Sequence, residues 1–266
     1  TVYENSPLNR ISQQFNVGNI FRSMDKKTIY GYLANTAREV IQFRVNAAGM
    51  LDGYGTYYPE KSLYVNTVTD EDGVTRTTYT NRQGVSIMER VTGAGLDART
   101  YYVYDDRENL CYVLPPMVEV LENNLDDESD PLKQYAYLYK FDNRSRCIAR
   151  RMPGADWQYL IYDKADRLIL SQDGNMRARN RWIYTIYDNL GRVARTNCIQ
   201  SYPGLLRDDI ERKIDNDYQI RNYPEESERW RLKVPFDNSW FEHVATLTEI
   251  RYGGYDYLDG QLPPEL

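Results

Sequence analysis

Four segments of the chain share one plan, an aromatic residue and an aspartate at the start and, in most copies, a basic then an apolar residue at the end. They are Tyr104-Asp105-Asp106-Arg107-Glu108-Asn109-Leu110, Phe141-Asp142-Asn143-Arg144-Ser145-Arg146-Cys147, Tyr162-Asp163-Lys164-Ala165-Asp166-Arg167-Leu168 and Tyr187-Asp188-Asn189-Leu190-Gly191-Arg192-Val193. Thr80-Asn81-Arg82-Gln83-Gly84-Val85-Ser86 is a degenerate fifth copy. A repeat constrains a fold more than any single motif does, because every copy must adopt one local structure and stack on its neighbours. Each copy follows an aromatic-rich stretch of strand character: Tyr101 to Tyr104, Tyr135 to Phe141, Trp157 to Tyr162 and Arg181 to Tyr187. Another β-prone stretch follows most copies, as in Leu168-Ile169-Leu170. The unit is therefore strand, turn, strand.

The turn has a physical cause. An aspartate at its first position accepts hydrogen bonds from backbone N–H groups further along, and a glycine four residues after the tyrosine takes positive φ and closes a hairpin with a bulge. Gly191 and Gly84 fit directly. Asp166 tolerates left-handed geometry well, Ser145 less so and Glu108 poorly, so Asn109 is expected to take the strained position in that copy.

Alternation along Gln134 to Phe141 puts Tyr135, Tyr137, Tyr139 and Phe141 on one face of a strand. Trp157, Tyr159 and Ile161 alternate against Leu160 and Tyr162, so that strand is apolar on both faces and needs cover on both sides. In the same register Cys147 shares the column of Leu110, Leu168 and Val193, whereas Cys111 falls one column later. Side chains on opposite faces cannot be bridged, which disfavours a disulfide between them.

Two stretches break the pattern. Pro115 to Pro131 opens with Leu114-Pro115-Pro116, is expected to form a short helix through Met117 to Leu125, and ends in the acidic run Asp126 to Asp130. Leu205 to Ile214 places Leu206, Ile210 and Ile214 at helical spacing behind Pro203-Gly204. Asn222 to Glu228 is loop-like. The first 65 residues lack the repeat, but Asp70-Glu71-Asp72-Gly73 predicts a further hairpin joining Leu63-Tyr64-Val65 to Thr75-Arg76-Thr77. The whole of 1–266 is expected to be one β domain, with its repeat core at about 64–200 and a helical insertion plus further strands over 201–266.

Composition narrows the function. The chain holds 25 Tyr against 6 Phe and 4 Trp, so phenol rings do much of the work of core aliphatics while keeping a hydroxyl for water or a partner. A net charge of -6 with mixed signs provides no footprint for a phosphate backbone, and nucleic acid is not an expected partner. No run reaches the roughly 18 apolar residues of a membrane span. Three cysteines are too few to staple a chain of this size. Both ends are expected to be internal to a longer polypeptide, since Thr1 to Asn5 resembles mid-strand sequence and Pro263 to Leu266 stops abruptly.

Candidate chemistry is sparse. His243, beside Phe241 and Val244, is the single histidine; with no nucleophile motif accompanying it, a structural role is the stronger reading. The acidic clusters at 70–72 and 126–130 lack the spacing of known Ca²⁺ loops and are expected to be solvated turn and loop. Neither a metal nor any other cofactor is expected, and no catalytic residues are assigned. Trp157, Trp182 and Trp240 are the aromatics to examine as sugar-stacking platforms, against the alternative that they are cross-strand packing pairs. Asn143-Arg144-Ser145 matches a glycosylation acceptor but sits in a repeat turn.

The Y-D-x-x-G-R pattern, fullest at Tyr187 to Arg192, resembles the YD repeat of Rhs proteins. Thr1 to Arg10, Tyr112 to Pro116, Met152 to Trp157 and Arg167 to Asn175 are similar to the large Rhs-repeat proteins of Bacteroides-type bacteria, a likeness covering roughly residues 1–200, with Glu249 to Tyr257 similar to the family's tyrosine-rich continuation. The resemblance implies a mainly β fold, a curved antiparallel sheet of consecutive β-hairpins, open or partly rolled, with one or two short helical insertions. In complete members such a sheet wraps around a C-terminal segment, often a toxin; only about five repeats are present here, and the self-cleaving core is not. The function implied is a non-catalytic scaffold, secreted or at the cell surface, partnered by other segments of its own polypeptide. The alternative is an adhesin-like module that binds carbohydrate or protein through tyrosine-rich faces.

Overall fold

A computed structural model describes residues 1–15, 26–53, 55–118, 127–188, 190–217 and 241–250, and the chain divides into two compact units, Thr1–Asp156 and Trp157–Leu266. In both, β-branched and aromatic runs form strands and the Asp- or Asn-headed segments form the turns between them. The fold is mainly β, a succession of antiparallel hairpins.

The first unit contains β1 (Val2–Tyr3), β2 (Ile11–Phe15), β3 (Lys27–Ala34), β4 (Arg44–Val45), β5 (Leu51–Asp52), β6 (Tyr64–Thr69), β7 (Thr75–Thr80), β8 (Ser86–Gly93), β9 (Leu96–Tyr104), β10 (Leu110–Leu114), β11 (Tyr137–Phe141) and β12 (Cys147–Arg151). Its main sheet follows chain order except that β4 and β5 leave it, pairing with each other as a separate ribbon between β3 and β6. The expected hairpin at 63–77 is β6 with β7. A short helix, α1 (Asp130–Tyr135), starts at the end of the acidic run with Pro131 in its first turn, where the absent proline N–H costs no hydrogen bond. The helix expected over Met117 to Leu125 lies mostly outside the described residues, which stop at Val118 with its N–H on the Pro115 carbonyl.

Residues opposite one another on neighbouring strands share a face, and the register exposes the core as rows. Val65, Tyr79, Met88, Tyr101 and Leu114 are consecutive cross-strand partners, and all are buried. So are Val103, Tyr112, Leu138 and Arg151 in a second row. The opposite face carries Tyr102, Val113 and Tyr137. The expectation that Tyr135 shares a strand face with Tyr137 is corrected by the start of β11. Tyr135 ends α1, so the strand begins two residues later, and the column that packs inward is Ala136 and Leu138; Leu138 is 1% exposed and Tyr137 is 39% exposed. Tyrosine tolerates the half-wet face because its hydroxyl stays solvated, while leucine gains more from full burial.

What covers the inward face is a part of the same chain that lacks the aromatic-aspartate motif, residues 35–53 and 55–63. Phe43 meets Tyr101 edge to face with ring centroids 5.1 Å apart, the Tyr112 hydroxyl donates to the Gly49 carbonyl at 3.1 Å, and Tyr79 donates to Glu39 Oε1 at 2.6 Å. Burial, and then the hydrogen bond to the Glu39 carboxylate, push the Tyr79 phenol up from 10.0 to about 12. A group whose folded pKa is raised stabilises fully below its unfolded value and loses that contribution as pH climbs through the folded one. The stability advantage of the wild type over Tyr79→Phe, measured by urea unfolding, should therefore shrink between pH about 10 and about 12. A difference that stays flat across this window would refute the latch.

The second unit contains β13 (Gln158–Tyr162), β14 (Leu168–Gln172), β15 (Arg181–Tyr187), β16 (Val193–Ser201) and β17 (Phe241–Glu249), again in chain order and antiparallel. Among the described residues the strand order of neither unit closes on itself. Ile161, Leu170, Tyr184 and Asn197 form one buried row, with Trp182 opposite Ile199 beside it. Leu160 is buried on the other face of β13, as expected for a strand apolar on both sides. The short α2 (Gly174–Arg177), which the sequence reading omits, is capped by Asp173, whose carboxylate accepts the Met176 N–H. The longer α3 (Arg207–Asp217) sits where helical spacing placed it, with Asp208 and Asp209 in its first turn. Its packing differs: Ile210 is fully buried in the core and Leu205 packs against it, while Leu206, just before the helix, is 68% exposed. The side chain of Ile214 and the loop at 222–228 lie outside the described residues. The described residues thus hold three helices where one or two were expected.

Candidate interaction site: the aspartate turns and the pocket beneath them

The repeat motif forms one hydrogen-bonded device. In the turns headed by Asp105, Asp142, Asp163 and Asp188, carboxylate Oδ1 accepts the N–H groups two and four residues on, at 2.8–3.0 Å. The aspartate N–H donates to the carbonyl four residues on, and its own carbonyl accepts the N–H three residues on, at 2.8–3.1 Å. One side chain thus orders five residues of backbone. The second oxygen explains the basic residue of the motif: Oδ2 accepts from Nε of Arg146, Arg167 and Arg192, each at 2.7 Å. In the Asp105 copy Asn109 Nδ2 takes that place at 2.9 Å. Burial works against the charge of Asp142, but the Arg146 N–H and guanidinium and the Arg144 N–H outweigh it and hold the carboxyl below its ordinary value. Asp188 is shifted the same way, its burial being outweighed by Arg192 and the Leu190 N–H.

The device is more widespread than the aromatic-aspartate signature. Asn81 heads the same turn, and so do Asp70 and Asn46. Asp70 had been read as a turn but not as this one, and Asn46 was missed. The signal available was Asn or Asp three residues before glycine, in Asn46-Ala47-Ala48-Gly49 and Asp70-Glu71-Asp72-Gly73. All seven turns place the fourth residue at positive φ: Gly49, Gly73, Gly84 and Gly191 at 74–82°, Glu108 at 63°, Ser145 at 57° and Asp166 at 61°. Glu108, not Asn109, therefore bears the strain in its copy, because the capping hydrogen bonds fix the position whatever residue occupies it.

Within each unit neighbouring turns are stitched together by side chains. Arg107 donates to the Asp142 carbonyl at 3.2 Å and to Asn143 Oδ1 at 3.3 Å, and Asn109 Nδ2 donates to Ser145 Oγ at 3.2 Å. The glycosylation-like triplet is thus occupied as turn and stitch. In the second unit the Tyr187 hydroxyl donates to the Leu168 carbonyl at 2.8 Å, and the Arg167 guanidinium lies 5.0 Å from the Tyr187 ring centroid. The aromatic residue of the motif is a hairpin-to-hairpin staple there.

The remaining site candidates separate. Trp182 and Trp157 are both buried and offer no open ring face for a sugar; they serve as packing, and Trp240 lies outside the described residues. His243 is exposed on β17, opposite Ile199. The acidic run is partly buried rather than solvated: Asp127 accepts the Tyr112 hydroxyl at 2.7 Å and pairs with Lys140 at 2.6 Å, and the buried Arg151 donates to the Asp127 carbonyl. This clamp ties the residues before α1 to the inward face of the sheet. Among the described residues no cluster of metal-ligating side chains forms. Cys111, Cys147 and Cys198 form no disulfide; burial, and then Asp105, push the Cys111 thiol up to about 12. A cavity of about 150 Å³ opens between segment 35–63 and the Asn81 and Asp105 turns.

No protein-family model matches the chain, and no curated protein matches it. Among solved structures it is similar to the crystal structure of TcdB2-TccC3, with 13% identity and a TM-score of 0.40 over 76% of this chain and 10% of that one. The same complex without its hypervariable C-terminal region matches with the same values. TcdB2-TccC3-TEV matches at 12% identity and a TM-score of 0.39, over 77% of this chain and 10% of that one. The chain therefore spans about a tenth of the length of the structures it matches.

Proposed function

We propose that the chain is a non-catalytic structural segment of an exported Rhs-type YD-repeat polypeptide, whose hairpin sheet encases or displays another part of that polypeptide. The observation that carries this reading is the cover of the first unit. The buried face of its sheet is packed against residues 35–53 and 55–63, a stretch of the same chain that lacks the aromatic-aspartate motif, through Phe43, Glu39 and Gly49. A sheet whose inward face packs on another stretch of its own chain has the apolar face and the hydrogen-bonding tyrosines that an encasing role requires. The stitched turns stiffen its rim, which suits a wall more than a flexible linker.

The natural full-length polypeptide should show the effect directly. Under limited proteolysis with intact-mass analysis, its C-terminal region should resist digestion only while this segment is present. Equal cleavage with and without the segment would sink the encasing role. It would favour an adhesin-like role instead, for which the outward Tyr64, 60% exposed, and Tyr137 are the available contact residues.

A further inference from the structure

We propose that the first unit carries a pocket for an organic ammonium group, lined by Phe43, Tyr58 and Tyr101 and by the acidic Asp105 and Glu108. The pocket is independent of the scaffold role. The Phe43 and Tyr101 rings pack edge to face at 87° with centroids 5.1 Å apart, and together with Tyr58, Tyr102 and Tyr104 they give the pocket five aromatic residues, whose ring quadrupoles attract a cation. At about 150 Å³ the space is below the roughly 300 Å³ where sites for drug-sized ligands begin, which limits the occupant to a single head group. Among the described residues its lining includes two carboxylates and no lysine or arginine. The Arg44 and Arg99 groups that act on the Tyr58 and Tyr101 hydroxyls stay out of the lining.

Glu108 carries the argument further. Its position is left-handed, with φ 63°, and the other six turns fill it with glycine or with the short polar Ser145 and Asp166. Glutamate neither relieves the strain nor takes part in the turn hydrogen bonds by its side chain, and strain kept against local preference marks sites under functional demand. The Asp105 carboxylate is engaged by Arg107 N–H and Asn109. Glu108 is left as the carboxylate that meets an incoming cation.

Calorimetric titration of the whole chain with choline, with its neutral isostere 3,3-dimethylbutanol and with Nα-acetyl-Nε-trimethyl-lysine amide tests the proposal. Choline is expected to bind about fivefold more tightly than the isostere, the scale of one cation–π contact. Glu108→Gly is expected to weaken choline about fivefold while keeping or raising the melting temperature, because glycine removes the backbone strain without touching the turn. Comparable binding of the lysine derivative assigns the pocket to a protein side chain, and choline binding alone assigns it to a free small molecule. No saturation by either cation, equal binding of the isostere, or unchanged affinity in Glu108→Gly would overturn it.

Discussion

Trp182→Ala should destabilise the second unit by about 3–5 kcal/mol in urea unfolding, the cost of removing a large aromatic from a packed core. Trp182 is 1% exposed and sits among Ile161, Leu170, Tyr184, Ile199, Ile210 and Phe241, where strands of the sheet and α3 meet. Its indole N–H is buried and has no hydrogen-bond partner among the described residues. Trp182→Phe therefore sacrifices no hydrogen bond and keeps most of the apolar area, and should cost about 1 kcal/mol. A ligand-stacking tryptophan would behave in the opposite way, with stability unmoved by the alanine change. A Trp182→Ala protein within about 0.5 kcal/mol of wild type, the range of surface substitutions, would remove this residue from the core.

The second large effect lies in the turns and separates geometry from burial. Asp163 and Asp188 make the same hydrogen bonds to their own turns and to an arginine four residues on. The Asp163 side chain is 0% exposed, however, and that of Asp188 is 22% exposed. Asp163→Ala leaves the N–H groups of Ala165 and Arg167 and the Arg167 guanidinium without their acceptor where water reaches poorly, at about 2–4 kcal/mol. At Asp188 water substitutes, and the loss should be about 1 kcal/mol. Asp163→Asn, which retains the Oδ1 acceptor, should fall between. Equal losses at the two sites would show that burial does not set the strength of the turn.

Much of this was legible in the residues because the turn is local. Aspartate, three intervening positions and arginine, or asparagine in the Asp105 copy, contain every donor and acceptor of the device, so the hairpins at 105, 142, 163 and 188 follow from the string. The α3 segment was legible too, from its period. The identity of the left-handed residue in the Asp105 turn was not: intrinsic preference disfavours Glu108, but the paired N–H groups on Asp105 Oδ1 leave the chain no other place for positive φ.

Which face of each strand is buried was decided only by the tertiary structure. Tyr137 and Leu138 are both good strand residues, and alternation says that they point apart without saying which of them points inward. That choice depends on Tyr112 lying opposite Leu138 and on the cover supplied by residues 35–63, which is distant in the chain and carries only one turn of the repeat kind. The same holds for the clamp of Asp127, Tyr112 and Lys140, where an acidic run with every mark of a solvated loop gains the buried Tyr112 and the half-exposed Lys140 from two strands of the sheet. Hydrogen bonds closed within five residues are set by the residues between them, whereas burial is a property of the surface that two remote segments make together.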